Sequence, residues 1–296
     1  MLDVYKSLYH LEGQPFRLSP DHTFAFSHQS YDDAKAYLKY AVSEGEGLVA
    51  ITGAPGTGKT TLIASLINEL DPAQVRTGVI TNVQIDTSNL LDMVVDALEL
   101  PFKTGDRAYL MKEFKRFLQQ ENAEGRRVIL IIDEAQGLSA ELLEELRLLS
   151  NLQYESRLML QIFLVGQEPL MDIVRSPGME QLHQRLIAAA QIKPLDFEQT
   201  VDYIIHRLSC VGWKNDPAFT DEVFSLIHKF SAGVPRRINL ICHRLFLNAG
   251  LKERHELVGG DALNIIVELH REGLLTPVAR RALGDYVGSI KDIAAG

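Results

Sequence analysis

The sequence has few of the residues that build covalent or metal-based frameworks. Its 296 residues include two cysteines, Cys210 and Cys242, which lie far apart and without C-x-x-C or Cys/His ligand spacing. This pattern argues against a disulfide or zinc framework, and we expect both thiols to be buried in helices. The nine histidines form no H-E-x-x-H motif, so a histidine-based metal site is not expected. The single tryptophan, Trp213, is expected to pack at a helix end.

Long apolar runs and a basic N-terminal region are also missing. No stretch approaches the roughly 18 apolar residues of a membrane span, and the first residues lack a basic segment followed by an apolar one. The 30 Lys and Arg residues are outnumbered by 39 Asp and Glu residues, which gives a net charge of -9. This balance weighs against a broad electrostatic grip on DNA or anionic lipid, although it allows a local basic face. We expect a cytoplasmic globular protein without a membrane span.

A glycine-rich loop directly follows the apolar run at residues 48–52. It has the Walker A pattern G-x-x-x-x-G-K-[ST] and consists of Gly53, Ala54, Pro55, Gly56, Thr57, Gly58, Lys59 and Thr60, with Thr61 next. The glycines let backbone N–H groups converge, and the helix expected from Thr60 directs its positive end to the same point. Lys59 adds a point charge. A nucleoside triphosphate is the ligand that this arrangement fits.

A second apolar run, at residues 128–132, ends in Asp133 and Glu134. Carboxylates at the C-terminal edge of a parallel strand lie where ligands bind in such sheets, and the pattern is a Walker B signature. We expect Asp133 to hold Mg²⁺ beside Thr60, and Glu134 to polarise the water that attacks the γ-phosphate. Taken alone, the pattern also fits a strand that ends in solvated acids, but its position after a Walker A loop favours the catalytic interpretation.

Amide side chains end the two strands expected beside the Walker B strand. Gln167 follows the run at 163–166 and is the expected sensor of the γ-phosphate, the alternative being a loop amide that caps the next helix. Asn82 lies at the end of the other neighbouring strand, where an amide is able to orient Glu134.

Three arginines are candidates for contacts that complete a nucleotide site. Arg236 begins a helix after Gly233-Val234-Pro235, and we expect it to reach back over the nucleotide and sense the γ-phosphate. The alternative is an exposed basic helix start. Arg185 is expected to project across a subunit boundary as an arginine finger, with Arg147 as its rival for that task.

Short β-branched runs alternate with amphipathic helices from residue 48 to residue 192. This alternation predicts an α/β fold with a parallel sheet and helices on both faces. The predicted strands are 48–52, 78–85, 128–132, 160–165 and 189–192. Ser88 and Ser139 are the expected N-caps of two crossover helices.

The strand signal stops after Pro194, and helical periodicity takes over. The predicted helices of this part are 198–211, 217–231, 235–250 and 260–272. We therefore expect an N-terminal segment (1–44), a P-loop ATPase core (45–195), a small all-helical lid domain (196–275) and a loosely held C-terminal tail (276–296).

The order of Walker A, Walker B, Gln167 and the Gly-x-Pro-Arg at 233–236, followed by a helical lid, resembles an AAA+ ATPase over residues 5–275. The segments 14–21, 160–167 and 179–186 are similar to the general secretion pathway protein A (ExeA-type) ATPases. Within that group, the segments 206–213, 216–222 and 233–239 look most like the ATPase encoded with the exosortase (PEP-CTERM) and exopolysaccharide export system.

The chain departs from this family pattern at three places. It has Ala54 where Glu is common, Gly137 where Asn is common, and Glu168-Pro169 where the family has Pro-Glu. None of these changes removes an expected phosphate or metal ligand.

The resemblance implies an assembly factor driven by ATP and Mg²⁺. Such a factor is a homo-oligomer with ATP at its subunit interfaces, and it acts on a protein component of an inner-membrane export or secretion apparatus. The resemblance also implies the roles given above for seven residues: Lys59, Thr60, Asp133, Glu134, Gln167, Arg185 and Arg236. Secretion-type members carry a membrane helix and a peptidoglycan-binding module after the ATPase, and we expect neither here, which favours the exopolysaccharide-associated group.

Two other functions stay open at this point. One is a DNA-loaded ATP switch like the transposition regulators, whose AAA+ domains look similar; we do not expect a sequence-specific nucleic-acid role, but a basic inner stripe on a ring or filament would indicate one. The other is a small P-loop kinase, which gives Arg236 and the helical lid no obvious use.

Overall fold

The computed structural model describes residues 4–19, 22–45, 47–81, 88–101, 106–284 and 286. Asn82 lies outside the described residues, so its expected contact with Glu134 stays a prediction.

The helices and strands are numbered along the chain. The helices are α1 (Val4–Leu8), α2 (Gln29–Glu44), α3 (Lys59–Glu69), α4 (Leu90–Ala97), α5 (Arg107–Ala123), α6 (Ala140–Ser150), α7 (Pro169–Val174), α8 (Glu180–His183), α9 (Phe197–Ser209), α10 (Asp221–Ser231), α11 (Pro235–Leu251) and α12 (Gly259–Arg271). The strands are β1 (Leu48–Gly53), β2 (Val75–Ile80), β3 (Arg127–Ile132), β4 (Gln153–Tyr154), β5 (Arg157–Leu158), β6 (Leu160–Gly166), β7 (Leu186–Ile192), β8 (Ala218–Phe219) and β9 (Glu256–Leu257). Short 3-10 turns lie at His22–Phe24 and Ala135–Gly137.

Five strands form a parallel sheet in the order β2-β3-β6-β1-β7, which confirms the predicted α/β fold. Strand β6 lies between β1 and β3, with Thr52 opposite Gly166 and Ile132 opposite Leu164. The carboxyl ends of these three strands therefore meet at one edge of the sheet. The Walker A loop, the Walker B carboxylates and Gln167 all emerge there.

Side chains of the central strands alternate between two apolar cores, one on each face of the sheet. In β3, Leu130 and Ile132 pack in the core that includes α4, α5 and α6, whereas Ile129 and Ile131 pack in the core that includes α2 and α3. Because both faces are covered, the central strands are mostly apolar in the sequence.

The chain divides into two compact units. One consists of residues 29–55 and 59–193 and contains the parallel sheet; the other consists of residues 1–28, 56–58 and 194–296 and contains α1 and α9 to α12. The N-terminal segment expected at 1–44 is thus shared between the units at residue 28. In the helical unit, the rings of Tyr5 and Phe16 pack against Phe246 of α11.

The helical unit contains the four predicted helices with one correction. The second of these helices, α10, begins at Asp221 and not at Pro217, because residues 218–219 form β8, which pairs in parallel with β9. Asp196 starts α9 with a capping box: its carboxylate accepts the Gln199 N–H at 2.8 Å, and the Gln199 side chain accepts the Asp196 N–H at 3.2 Å.

The segment after residue 275 is not the loose tail that was expected, as far as the structure describes it. Residues 277–284 are helical, and Ala279 and Leu283 are buried in the core of the helical unit. The Arg280 guanidinium donates to the carbonyls of Leu275 and Gly273, each at 3.1 Å.

Several local predictions are settled by side-chain contacts. Ser139 caps α6 by accepting the Leu142 N–H at 3.3 Å, as predicted, whereas the N-cap of α4 is Asn89 and not Ser88. Trp213 packs edge-on against Phe219, as expected of a packing residue.

The prediction that both cysteines are buried in helices holds for one of them. Cys242 is buried in α11, but Cys210 is exposed, because it follows the last residue of α9 outside the apolar face. Within the described part of the chain, no helix combines the length and apolar character needed to cross a membrane.

Candidate active site

The Walker A loop connects the end of β1 at Gly53 to the start of α3 at Lys59. Gly56 and Gly58 adopt left-handed backbone conformations, with φ of 85° and 104°, that side chains other than glycine rarely adopt. Gly53 differs from the prediction in its role, since it is the last residue of the strand and takes no part in the turn. The loop therefore requires glycine at two positions, and its backbone leads directly into the positive end of α3.

Lys59 is almost fully buried, with 6% of its surface exposed. Its Nζ donates to the carbonyl oxygens of Gly53 at 2.9 Å and Ala54 at 3.2 Å. Burial lowers the pKa of the Lys59 ammonium, while the carboxylates of Glu134 and Asp133 act in the opposite direction. The ammonium group is thus held at the loop with little water around it, a condition in which a phosphate is a strong partner.

Thr60 and Asp133 meet across the carboxyl edge of the sheet. The Thr60 Oγ1 donates to the Asp133 Oδ2 at 3.0 Å, so the predicted pair of metal-binding side chains is adjacent. A hydroxyl and a carboxylate oxygen suit Mg²⁺, which is commonly bound by one or two carboxylates together with substrate phosphates. Among the described residues, no cluster of three or more His, Cys, Asp and Glu side chains forms an all-protein metal site. The donor set therefore fits a magnesium ion that arrives with a nucleotide.

Glu134 follows Asp133 in a left-handed backbone conformation, with φ of 55° and ψ of 33°. Its backbone N–H donates to the Asp133 Oδ1 at 2.9 Å, which holds the Asp133 carboxylate against the turn that begins at Glu134. A non-glycine residue in this region is uncommon, and such strain concentrates at functional sites. The turn directs the carboxylate of Glu134 to the end of β6, where Gln167 begins the next loop.

Two amides contact the carboxylate of Glu134. The Gln136 Nε2 donates to the Glu134 Oε2 at 2.6 Å, and the Gln167 Nε2 lies 3.4 Å from the same oxygen. Gln167 was predicted at this edge, but Gln136 was not. Its sequence signal was its place two residues after the Walker B glutamate, on a turn that starts at the ligand-binding edge of the sheet.

The three candidate arginines differ in their surroundings. Arg236 is exposed at the start of α11, and its N–H donates to the Gly56 carbonyl at 3.2 Å. Arg185 lies just before β7 and is half-buried; among the described residues, no side chain or carbonyl pairs with its guanidinium. Arg147, its rival, makes a two-point contact with Glu144, at 2.8 and 2.7 Å.

These features define the fold of an AAA-type P-loop NTPase, and residues 42–174 match the AAA domain family. Over 259 residues the chain is 34% identical to General secretion pathway protein A of Aeromonas hydrophila, and the match covers 87% of this chain and 47% of that protein. The chain thus spans about half the length of this relative. The predicted likeness to the secretion protein is confirmed at this level, whereas the likeness to exosortase-associated ATPases stays a prediction.

Two solved structures share the fold at low sequence identity. The structure of Cdc6p from Pyrobaculum aerophilum is similar with a TM-score of 0.69 and 14% identity, over 87% of this chain and 71% of that one. The structure of the Aeropyrum pernix ORC1 protein in complex with DNA is similar with a TM-score of 0.66 and 13% identity, over 88% of this chain and 71% of that one.

Proposed function

We propose that the protein is a Mg²⁺-dependent ATP hydrolase. The observation that carries this proposal is the contact between Thr60 and Asp133 beside the buried ammonium of Lys59. Phosphoryl transfer to water needs a phosphate-binding loop, a metal-binding oxygen pair and an adjacent carboxylate. The carboxylate of Glu134 has no cation as a hydrogen-bond partner among the described residues; its contacts are the amides of Gln136 and Gln167.

Each part has a separate role in the proposed reaction. The Lys59 ammonium and the backbone N–H groups of residues 53–61, apart from Pro55, which has none, bind the β- and γ-phosphates. Thr60 and Asp133 would hold Mg²⁺, which when bound neutralises charge on the phosphate oxygens. Glu134 orients a water molecule and accepts its proton, and Gln167 donates to the γ-phosphate.

Two arginines complete the proposed site. Arg236 senses the nucleotide from the start of α11. Its backbone N–H donates to the carbonyl of Gly56 in the Walker A loop. Arg185 acts as the finger that one subunit supplies to the next. The structure favours Arg185 over Arg147 for this role, because Glu144 already neutralises the Arg147 guanidinium.

We propose that hydrolysis serves the assembly or regulation of a membrane exopolysaccharide or secretion system. The support is the relation to the secretion protein of Aeromonas hydrophila. In this proposal residues 45–195 hydrolyse ATP and residues 196–275 form a lid that responds to the nucleotide. The protein works as a homo-oligomer on the cytoplasmic side and reaches the inner membrane through a protein partner.

The proposal predicts tight ATP binding and phosphate release that both require Lys59. Lys59→Ala should weaken binding of a fluorescent ATP analogue by about 100-fold, because the variant loses a buried charge that compensates the phosphates. The matched control is Lys112→Ala, at an exposed position of α5. Equal ATP affinity of wild type and Lys59→Ala, or no Mg²⁺-dependent phosphate release from any preparation, would overturn the proposal.

The same assay distinguishes a DNA switch. Duplex DNA should neither stimulate phosphate release nor bind at submicromolar concentration in about 0.15 M salt. The local basic residues are partly neutralised, since Arg244 pairs with Glu272 at 2.8 Å, and the net charge is -9. Submicromolar, steeply salt-dependent binding to DNA would favour the switch.

A further inference from the structure

Gln136 joins the ends of β3 and β6 through both atoms of its amide. Its Nε2 donates to the Glu134 Oε2 at 2.6 Å, and its Oε1 accepts the backbone N–H of Gln167 at 2.8 Å. The second contact is to the backbone N–H of Gln167, the residue directly after β6. This group does not move when the Gln167 side chain rotates. The first contact therefore transmits a fixed backbone position to the Glu134 carboxylate.

Only an amide of this length serves both contacts. A glutamate would keep the acceptor but place a second negative charge against Glu134, and a methionine would keep the shape but lose both hydrogen bonds. The neighbouring backbone also leaves room for this amide: a Cβ on Gly166 would lie 2.8 Å from the Gln136 Oε1. Gly166 has no left-handed φ, so the space for Gln136, and not the backbone conformation, is what favours glycine there.

The two amides on Glu134 are not equivalent. The contact from Gln136 is short, whereas the Gln167 Nε2 is 3.4 Å away and sits on a side chain that also has a proposed partner in the γ-phosphate. When Gln167 turns to the phosphate, its bond to Glu134 is lost. Its backbone N–H stays in place and continues to hold Gln136.

We propose that Gln136 is a positioning residue that holds Glu134 in its reactive orientation while Gln167 engages the nucleotide. This inference rests on the proposed hydrolysis. Gln136 fixes one carboxylate oxygen, Oε2, and leaves the other free to receive the proton of the attacking water. Gln136 acts through Glu134 and not on the nucleotide, so its removal lowers kcat and leaves ATP affinity unchanged.

The first experiment compares steady-state kinetics and fluorescent-nucleotide affinity of Gln136→Met with those of wild type. The expected result is a kcat lower by about 10- to 100-fold, since a misplaced catalytic group has effects of this size, and an ATP affinity and melting temperature like those of wild type. The matched control, Gln153→Met at an exposed position of β4, should retain wild-type kcat. Wild-type kcat in Gln136→Met, or an increase, would overturn the inference.

A second experiment tests whether Gln136 acts through Glu134. In a Glu134→Gln background, Gln136→Met should change the remaining rate by less than about 3-fold, because the group that it positions is gone. An undiminished further loss would mean a structural role and contradict the inference. If Gln136→Met does not fold, Gly166→Ala provides the test: its methyl group should displace the amide and lower kcat with ATP affinity retained, and a wild-type kcat would refute the role.

The failure of this inference is distinguishable from failure of the proposed function. A wild-type protein that releases no phosphate refutes the function. A wild type that hydrolyses ATP, with Glu134→Gln impaired and Gln136→Met normal, refutes only the role of Gln136.

Discussion

Glu134 and two glycines of the Walker A loop, Gly56 and Gly58, have left-handed backbone conformations. The left-handed conformation of Glu134 costs about 1 kcal/mol. Hydrogen bonds to Asp133 and Gln136 offset this strain. Gly56 and Gly58 avoid such strain because they have no Cβ. The Walker motifs, with the residues in them, could be predicted from sequence because their spacing is local. Gln136 could not, because its proposed role depends on a contact with Gln167, which the order of the strands in the sheet creates.

Gly56→Ala should be more damaging than its backbone conformation alone explains. The added Cβ would lie 2.7 Å from the Arg236 Cβ, in addition to the strain of a φ of 85°. We expect a loss of about 1–3 kcal/mol in the free energy of unfolding, measured by urea denaturation, and weaker ATP binding.

The control for this substitution is Gly125→Ala. Gly125 has a similar φ of 75°, but among the described residues no atom outside its chain neighbours lies within 4 Å of an added Cβ, so Gly125→Ala reports the backbone cost alone. Equal losses in the two variants would contradict the predicted crowding between Gly56 and Arg236.

The secondary-structure elements were predictable where burial is uniform and less so at sheet edges. Strands β1, β3 and β6 are mostly apolar because both faces are covered. Strand β2 begins at Val75 and not at the predicted residue 78. The sequence hides this start because Arg76 interrupts the apolar pattern; in the structure the Arg76 guanidinium donates to the Leu98 carbonyl at 2.8 Å. Strand β7 begins at Leu186 and not at the predicted residue 189. Its start was missed because this edge strand alternates buried and exposed residues and so lacks a continuous apolar run.

One ion pair fixes the C-terminal end of α5 next to the start of β3. Glu121, whose side chain is 7% exposed, accepts two hydrogen bonds from Arg126, at 2.6 and 2.8 Å. Hydrogen bonds from Arg126 hold the pKa of Glu121 below its ordinary value. Because the pKa is lowered on folding, the stabilisation is present above the ordinary glutamate pKa and is lost as the pH falls through the lower, folded-state value.

Glu121→Gln should therefore lower the free energy of unfolding at pH 7 by about 1–2 kcal/mol. The difference from wild type should shrink in urea titrations as the pH falls below about 4. Glu124→Gln is the matched control, since Glu124 contacts the same arginine but is 42% exposed and should contribute little. A pH-independent difference between Glu121→Gln and wild type would contradict the assignment.

For the whole molecule, the proposed oligomer determines how activity depends on concentration. In the proposed oligomer each subunit supplies its own phosphate-, metal- and base-contributing residues, and a neighbour supplies Arg185, whose guanidinium pairs with no side chain or carbonyl among the described residues. The molecule's partners were the least predictable feature, because they depend on surfaces for which neither composition nor a local motif provides a signal.

Hydrolysis per subunit should fall on dilution, and Arg185→Ala should bind ATP but turn over about 1,000-fold more slowly, the usual contribution of an arginine finger. Mixing Arg185→Ala with Glu134→Gln should restore part of the activity, because some interfaces then combine an intact finger with an intact base. Arg147→Ala should have a much smaller effect. Activity that is independent of dilution, together with no recovery on mixing, would rule out a finger supplied by a neighbour.

The central claim, that this edge of the sheet hydrolyses ATP with Glu134 as the base, is tested most directly by Glu134→Gln. The measurement is a single-turnover experiment in which bound nucleotide is recovered and separated into ATP and ADP. We predict that Glu134→Gln binds ATP as tightly as wild type and converts it about 100- to 10,000-fold more slowly, so that the recovered nucleotide is ATP. Recovery of ADP at the wild-type rate would contradict the account.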